Sequence, residues 1–320
     1  ILAVSCSPLN HTFPKIEKGR SPTLPRDHFA HPEFRTEWWY YSGHLEAEDG
    51  SRYGFELVFF VRRTDNDMYL GFPARTFSNP AHLAHFAVID LQKNELVYDD
   101  RRTKDYLDKN GESGALTDAF NVWNGDWSAK TIDGVQYLEA GMEGYDLSLG
   151  LKSAKPPVLH GDDGYFLKSR GDDFLRGTYY ISFTRLVGEG FLFVDGKPKK
   201  VRAQAWMDHE YGSRQLGEDQ LGWDWFSLQF EDDTELMVYM LKQEDGTWNA
   251  LSKGTFVRQN GESVSLGREA IKLEPLREWK SKKSGAVYTL DWRIRVLPLD
   301  MDIVVRPLLD EAEIDSRKST

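Results

Sequence analysis

Between Ala205 and Phe230 the sequence AWMDHEYGSRQLGEDQLGWDWFSLQF sets proton-handling groups beside aromatic surface. Asp208, His209 and Glu210 are consecutive, and Asp224 stands between Trp223 and Trp225. A carboxyl taken out of water keeps its proton to higher pH and becomes a competent general acid near neutrality. An indole face stabilises positive charge developing on a substrate carbon, by about 0.5–2 kcal/mol per good contact. Asp224 therefore has two readings: a protonated acid facing an apolar cavity, or a carboxylate accepting backbone N–H bonds in a turn. His209 or Asp208 would activate water, with Glu210 beside them. If Ala203–Asp208 is a strand, Asp208 and Glu210 fall on one side and His209 on the other, unless the chain turns there, and Tyr211-Gly212-Ser213 predicts a turn.

A second candidate stretch is HPEFRTEWWYYSGHL, where alternation puts Glu37, Trp39 and Tyr41 on one face and Trp38, Tyr40, Ser42 and His44 on the other. A carboxylate among aromatics is costly to bury unless paired, so Glu37 is either an ion-pair partner of an arginine or a site residue. In TYYISFTRL, Tyr180, Ser182 and Thr184 point one way; Tyr179, Ile181, Phe183 and Arg185 point the other. Arg185 needs a carboxylate, with Glu37 or Asp208 as options. Candidate ligand-contacting residues are Trp38, Trp39, Tyr41, His44, Tyr180, Arg185, Trp223, Trp225 and Gln229. KPPVLHGDDGYFLKSRG, from Lys155 to Gly171, reads as an irregular loop at a barrel mouth. No HExxH, no GxSxG elbow and a single cysteine leave acid–base chemistry without metal or cofactor as the expectation.

The elements that must hold these groups are short apolar-aromatic runs bounded by Gly, Asp and Asn. Turns such as Asp133-Gly134, Asp195-Gly196 and Asn260-Gly261 join them. This pattern predicts an all-β chain of antiparallel barrels or sandwiches. One helical stretch is expected at Ser113–Ala119. Trp38–Leu45 and Trp223–Phe230 echo each other, each opening an apolar hairpin. A duplicated β module with a boundary near Lys199–Val201 is the preferred reading.

The 320 residues carry 51 acids against 40 Lys and Arg, a net charge of −11, which disfavours nucleic acid as a partner. No 18-residue apolar run predicts a membrane span. The opening ILAVSC resembles the end of a lipoprotein signal peptide, so lipidation at Cys6 and membrane attachment through it are expected. The protein would then be an exported periplasmic or cell-envelope lipoprotein, with residues 1–30 a signal remnant and polar linker.

The ordered motifs HPEFRTEWWYYSGHL, KPPVLHGDDGY, YYISFTRL, AWMDHEYGS, GWDWFSLQF and EWKSKKSGAVY followed by Trp292 resemble the AttH-like, carotenoid 1,2-hydratase family, with fungal intramolecular Diels–Alderases as distant relatives. The resemblance spans about residues 31–298. It implies two lipocalin-like antiparallel β-barrel or sandwich domains packed together, at 31–200 and 201–320. The second is expected to lack the family's Tyr-Trp-Glu-Gly and Gly-Tyr closing segments. It also implies a hydrophobic pocket and, for the hydratases, cofactor-free addition of water to a C=C bond of an isoprenoid- or polyketide-like substrate. Asp208, His209 and Glu210 stand at the family's DHE segment, Trp223, Asp224 and Trp225 at its WDW, and Glu37, Trp38 and Trp39 at its EWW. The alternative is a non-catalytic lipocalin-like carrier of lipid-like ligands at the cell envelope.

Overall fold

The computed structural model describes residues 13–63, 68–69, 72–73, 80–104, 111–170, 175–214 and 216–314. Cys6 lies outside them. One antiparallel sheet runs, in hydrogen-bonding order, through Glu95–Lys104, Ala81–Asp90, Arg52–Arg62, Thr36–Ala47, Lys197–Arg214, Leu175–Val194, Tyr145–Ser153, Val135–Met142, Trp127–Ile132, Asn121–Asn124 and Ser113–Ala115. Period two drives its curl. On Arg52–Arg62 the side chains Tyr53, Phe55, Leu57, Phe59 and Val61 are all buried, while the intervening residues are not. The sheet bends until its ends nearly meet. There Thr103 donates to Asn124 Oδ1 at 3.0 Å and Arg101 donates to the Asn124 carbonyl at 3.1 Å. The nearly closed barrel is filled by Trp39, Leu57, Phe86, Trp127, Leu138 and their neighbours. Each such side chain contributes about 1.5–3 kcal/mol by leaving water.

A second unit stacks a sheet of Gln220–Gln229, Glu235–Gln243, Lys253–Val257 and Ser263–Gly267 on one of Ile271–Lys280, Val287–Val296 and Met301–Val305. Leu236, Val238, Met240, Ile271, Ile294 and Val296 form its core. It packs against the outside of the barrel through Phe166, Tyr180, Trp206, Met237, Tyr239 and Leu241. The two echoing segments do each open an antiparallel hairpin. Among the described residues no helix is long and apolar enough to cross a membrane.

Several expectations are corrected. The boundary near residues 199–201 falls inside Lys197–Arg214, which is hydrogen bonded to Leu175–Val194 and Thr36–Ala47, so the barrel includes residues up to Arg214. The Asp195-Gly196 turn, with φ of 51° and 74°, folds this long hairpin rather than dividing two domains. Ser113–Ala119 is not helical. Ser113–Ala115 pairs with Asn121–Asn124, and the chain between is a short reversal. The Lys155–Gly171 segment contains two strands, Val158–Leu159 and Tyr165–Arg170, both laid along Leu175–Val194. Gly161 holds φ +77° between them, and a side chain there would meet the Tyr165 carbonyl at 2.4 Å. The expected linker is packed onto the barrel over its described part: Ile16, Asp27 and His28 are buried.

Candidate functional site

Alternation on Lys197–Arg214 splits the acid–imidazole–acid triplet between two environments. Met207, His209 and Tyr211 point into the barrel, whereas Trp206, Asp208 and Glu210 face the second unit.

Inside, Glu37 is fully buried, with His209 and His31 around it. Its Oε1 accepts from His209 Nε2 and His31 Nδ1, each at 2.9 Å, and its Oε2 accepts from the His31 backbone N–H at 2.8 Å. His31 Nε2 meets Asp27 Oδ1 at 3.2 Å. Tyr211 stacks on His31 and Trp39 on His209, with ring centroids 3.5 and 5.0 Å apart. Burial pushes the Glu37 carboxyl up, but the imidazole donors outweigh it and hold it at about 2. Burial lowers His209, opposed by Glu37, and lowers His28 well below the usual imidazole range. The ligand atoms of His31, Glu37 and His209 lie within 4.8 Å of one another, so this trio could hold a metal ion.

Outside, Asp208 sits opposite Ser182 on one neighbouring strand and Tyr40 on the other. Its Oδ1 accepts from the Ser182 hydroxyl and from Trp206 Nε1 at 2.6 Å, and its Oδ2 accepts from Tyr180 Oη at 3.0 Å. Trp225 Nε1 donates to Tyr180 Oη at 3.0 Å. Ser182 Oγ also meets His160 Nε2 at 2.8 Å, and His160 Nδ1 meets Thr255 Oγ1 of the second unit at 2.8 Å. Burial raises Asp208; its donors oppose this, nearby Glu210 adds to it, and the carboxyl comes to about 7. Burial pushes His160 down to about 3, so that ring is neutral. One row along, Lys168 Nζ donates to Glu210 Oε2 at 2.6 Å, and Thr178 donates to the same carboxylate. Burial lowers Lys168, with Glu210 opposing.

Two clefts flank the outer cluster. One of about 830 Å³ is lined by Trp38, Phe60 and Trp223 among others. The other, about 330 Å³, is lined by Ser42, His44, Glu56, Trp206 and Gln229. Thus Asp208, Glu210, Tyr180 and Trp225 come together with Trp38 and Trp223, while Glu37, His209 and Trp39 form a separate inner group.

Other candidates lie outside both groups, His44 and Gln229 in the lining of the smaller cleft. Tyr41 lies deeper in the barrel, donating to Gln136 Oε1 at 2.7 Å. His44 is exposed at a cleft edge. Gln229 donates to the carbonyls of Thr184 and Ala205 at 2.7 and 2.9 Å, satisfying backbone beside a register shift. Arg185 pairs with neither Glu37 nor Asp208. It lies within that shift and meets Glu235 Oε1 at 2.6 Å, beside Lys155. Asp224 is neither in a turn nor near Asp208. It shares a face with Phe226 and Leu228, toward the core of the second unit, and pairs with Lys242 at 2.8 Å. Burial raises its carboxyl, with Lys242 opposing.

Sequence reading missed Ser182, Trp206, Lys168 and the inner partners Asp27, His28 and His31. The apolar run Tyr165-Phe166-Leu167 was the signal that Lys168 belonged to a strand.

Residues 15–319 match the model of a family described as AttH-like. The chain belongs to the AttH-like family. Among solved structures it is similar to a Nitrosomonas europaea protein described as AttH, at 25% identity and TM-score 0.85, covering 96% of this chain and 90% of that one. It is also similar in fold to kievitone hydratase from Nectria haematococca, at 16% identity and TM-score 0.60, covering 88% and 81%. No curated protein sequence matches it.

Proposed function

We propose that this AttH-like protein is a hydratase- or cyclase-type enzyme acting on a hydrophobic isoprenoid- or polyketide-like substrate, with Asp208 rather than Asp224 as the general acid. The observation that carries this reading is one buried carboxyl, held at about 7, at the seam of two units and hydrogen bonded to Trp206, which lines a cleft. The hydratase among its structural relatives supports the same reaction class.

In the hydratase form, Asp208 gives its proton to one alkene carbon, whose π electrons form the new C–H bond. The cation on the neighbouring carbon takes the oxygen lone pair of water, and the surplus proton of that water returns to the Asp208 carboxylate. The cycle balances with water alone. Tyr180 and Trp206 hold the carboxylate in place between steps, and the Trp206, Trp225 and Tyr40 rings lie where cationic charge would build. In the cyclase form, the clefts fold a polyene into a reactive shape. The test is turnover of an isoprenoid and polyketide panel in isotopically labelled water, read by mass spectrometry. Product carrying labelled oxygen with the parent and none with Asp208→Asn supports the hydratase. Equal product from both sinks the role of Asp208.

A non-catalytic carrier is the second reading. The observation favouring it is that Trp206, not Asp208 itself, lines a described cleft. A co-purified lipid that never converts to product would decide for it. Lipidation of Cys6 and residence at the cell envelope belong to the proposal too, tested by labelling the full-length protein with an alkyne fatty acid and repeating with a Cys6→Ala variant.

A further inference from the structure

We infer that the cleft of about 330 Å³ binds the hydroxyl-bearing end of an otherwise apolar ligand, with Glu56, Ser42 and Ser227 as its polar anchor. This rests on the reading above that the ligand is a hydrophobic small molecule, and names the polar group it carries and where that group sits.

Strand pairing assembles the anchor. Ser42 lies opposite Trp206 on one neighbouring strand and opposite Glu56 on the other, so the three form one row across the barrel wall. Ser227 reaches the same cleft from the second unit, and Ile89, Leu96, Trp206 and Ile314 supply apolar wall around it.

These three groups have hydrogen-bonding capacity to spare. Glu56 is half-buried and is the one carboxyl in the lining among the described residues. Its Oε2 accepts from Tyr40 Oη at 2.8 Å, and no donor among the described residues reaches its Oε1. The hydroxyls of Ser42 and Ser227 likewise make no hydrogen bond among the described residues. Gln229, in the same lining, is already used: it donates to two backbone carbonyls and accepts from Gln204 at 3.1 Å. A ligand that covers the three free groups must match them or bear the cost of drying them.

A hydroxyl matches them. It donates once, to Glu56, and accepts twice, from Ser42 and Ser227. A ligand carboxylate would set its oxygens against those of Glu56. An ammonium fits less well, because burial raises the Glu56 carboxyl, opposed by the Tyr40 hydroxyl, and so weakens it as a counter-ion. The anchor also adjoins the proposed acid. Trp206 lines this cleft and donates to Asp208, and Tyr40, which donates to Glu56, lies opposite Asp208 in the sheet. A hydroxyl is the group that adding water to a C=C bond creates.

The test compares geraniol with myrcene, an isoprenoid hydrocarbon of the same carbon count that lacks the hydroxyl, and with geranylamine. Binding to the whole protein is read by calorimetry and by tryptophan fluorescence, since Trp206 lines the cleft. The alcohol leaves water less readily than the hydrocarbon, so tighter binding of the alcohol reports hydrogen bonds made in the cleft. Geraniol should bind about tenfold more tightly than either of the others. Glu56→Leu should remove most of that advantage and leave myrcene unchanged, whereas Glu56→Gln, which still accepts from a hydroxyl, should keep it. Ser42→Ala combined with Ser227→Ala, both at half-buried positions, should weaken geraniol alone by about threefold or more. Equal affinity for geraniol and myrcene, or a geraniol advantage that survives both Glu56→Leu and the double serine variant, overturns the anchor and leaves the hydrophobic reading standing. Tightest binding of geranylamine overturns the hydroxyl in favour of a cation. Failure of all three to bind overturns both readings.

Discussion

Glu37 and Asp208 are buried carboxyls on paired strands, yet their surroundings drive them in opposite directions: Glu37 down to about 2, Asp208 up to about 7. Both lose water, and desolvation is the largest influence on each. The difference is the company. Glu37 accepts from two imidazoles and a backbone amide. Asp208 accepts from hydroxyls and an indole, none of which can carry a compensating charge, and Glu210 faces the same way. Burial sets the stakes for a carboxyl, and the charge available to its partners sets the sign. On the function proposed above, the inner cluster is structural and the outer one supplies the acid.

The sharpest way to break this contrast is Asp208→Asn. It should cost on the order of 10²–10⁴ in turnover if Asp208 is the acid. Because its folded pKa is raised, the stability that Asp208 contributes is fully present below the unfolded value and is lost as pH rises from about 4 to about 7. Asn cannot ionise, so the variant should melt higher than the parent at mildly alkaline pH and match it in acid. A melting temperature that falls at alkaline pH would falsify the reading of Asp208 as a strained carboxylate.

Next is Lys168→Met, which leaves Glu210 buried without its cation and should destabilise by about 3–5 kcal/mol in denaturant melts. Adding Glu210→Gln should recover much of that loss. If the two losses simply add, the pair is not coupled.

Glu37→Gln probes the inner side. Its depressed pKa contributes stability present above the unfolded value and lost as pH falls from about 4.5 toward 2. The variant should lose on the order of 3 kcal/mol near neutrality and show a shallower acid-unfolding profile. An acid profile that keeps its shape argues against the imidazole network.

The smallest effect is expected from Asp224→Asn. Its partner Lys242 is 45% exposed, so stability should change by less than about 1 kcal/mol and turnover should hold. A large loss of activity would return the acid role to Asp224 and erase the distinction between the two faces of the second unit's sheet.

Much of this molecule was legible in its residues. Alternation placed Asp208 and Glu210 opposite His209, grouped Glu37 with Trp39, and set Asp224 on the face opposite Trp223 and Trp225, as the structure has them. The turn expected at Tyr211-Gly212-Ser213, however, is continuous strand paired to Thr36–Ala47. What could not be read was which face of each strand met which neighbour. The cavity reading of Asp224 came from its aromatic neighbours, but those rings face the barrel while Asp224 faces the other way, within a strand and not in the alternative turn. Arg185 was misplaced for a similar reason: a register shift between Phe183 and Leu186 interrupts the alternation that seemed clean in TYYISFTRL. Lys168 and His160 were hidden because their partners, Glu210 and Thr255, are 42 and 95 residues away.

Local chemistry, then, was decided by the chain itself: period-two burial, Asp-Gly turns, and an acid next to an imidazole on opposite sides of one strand. Tertiary structure alone decided which acid holds its proton toward neutral pH. A carboxyl's proton affinity depends on the water it loses and the donors it gains, and here both come from strands and a second unit that meet it only after the barrel has closed.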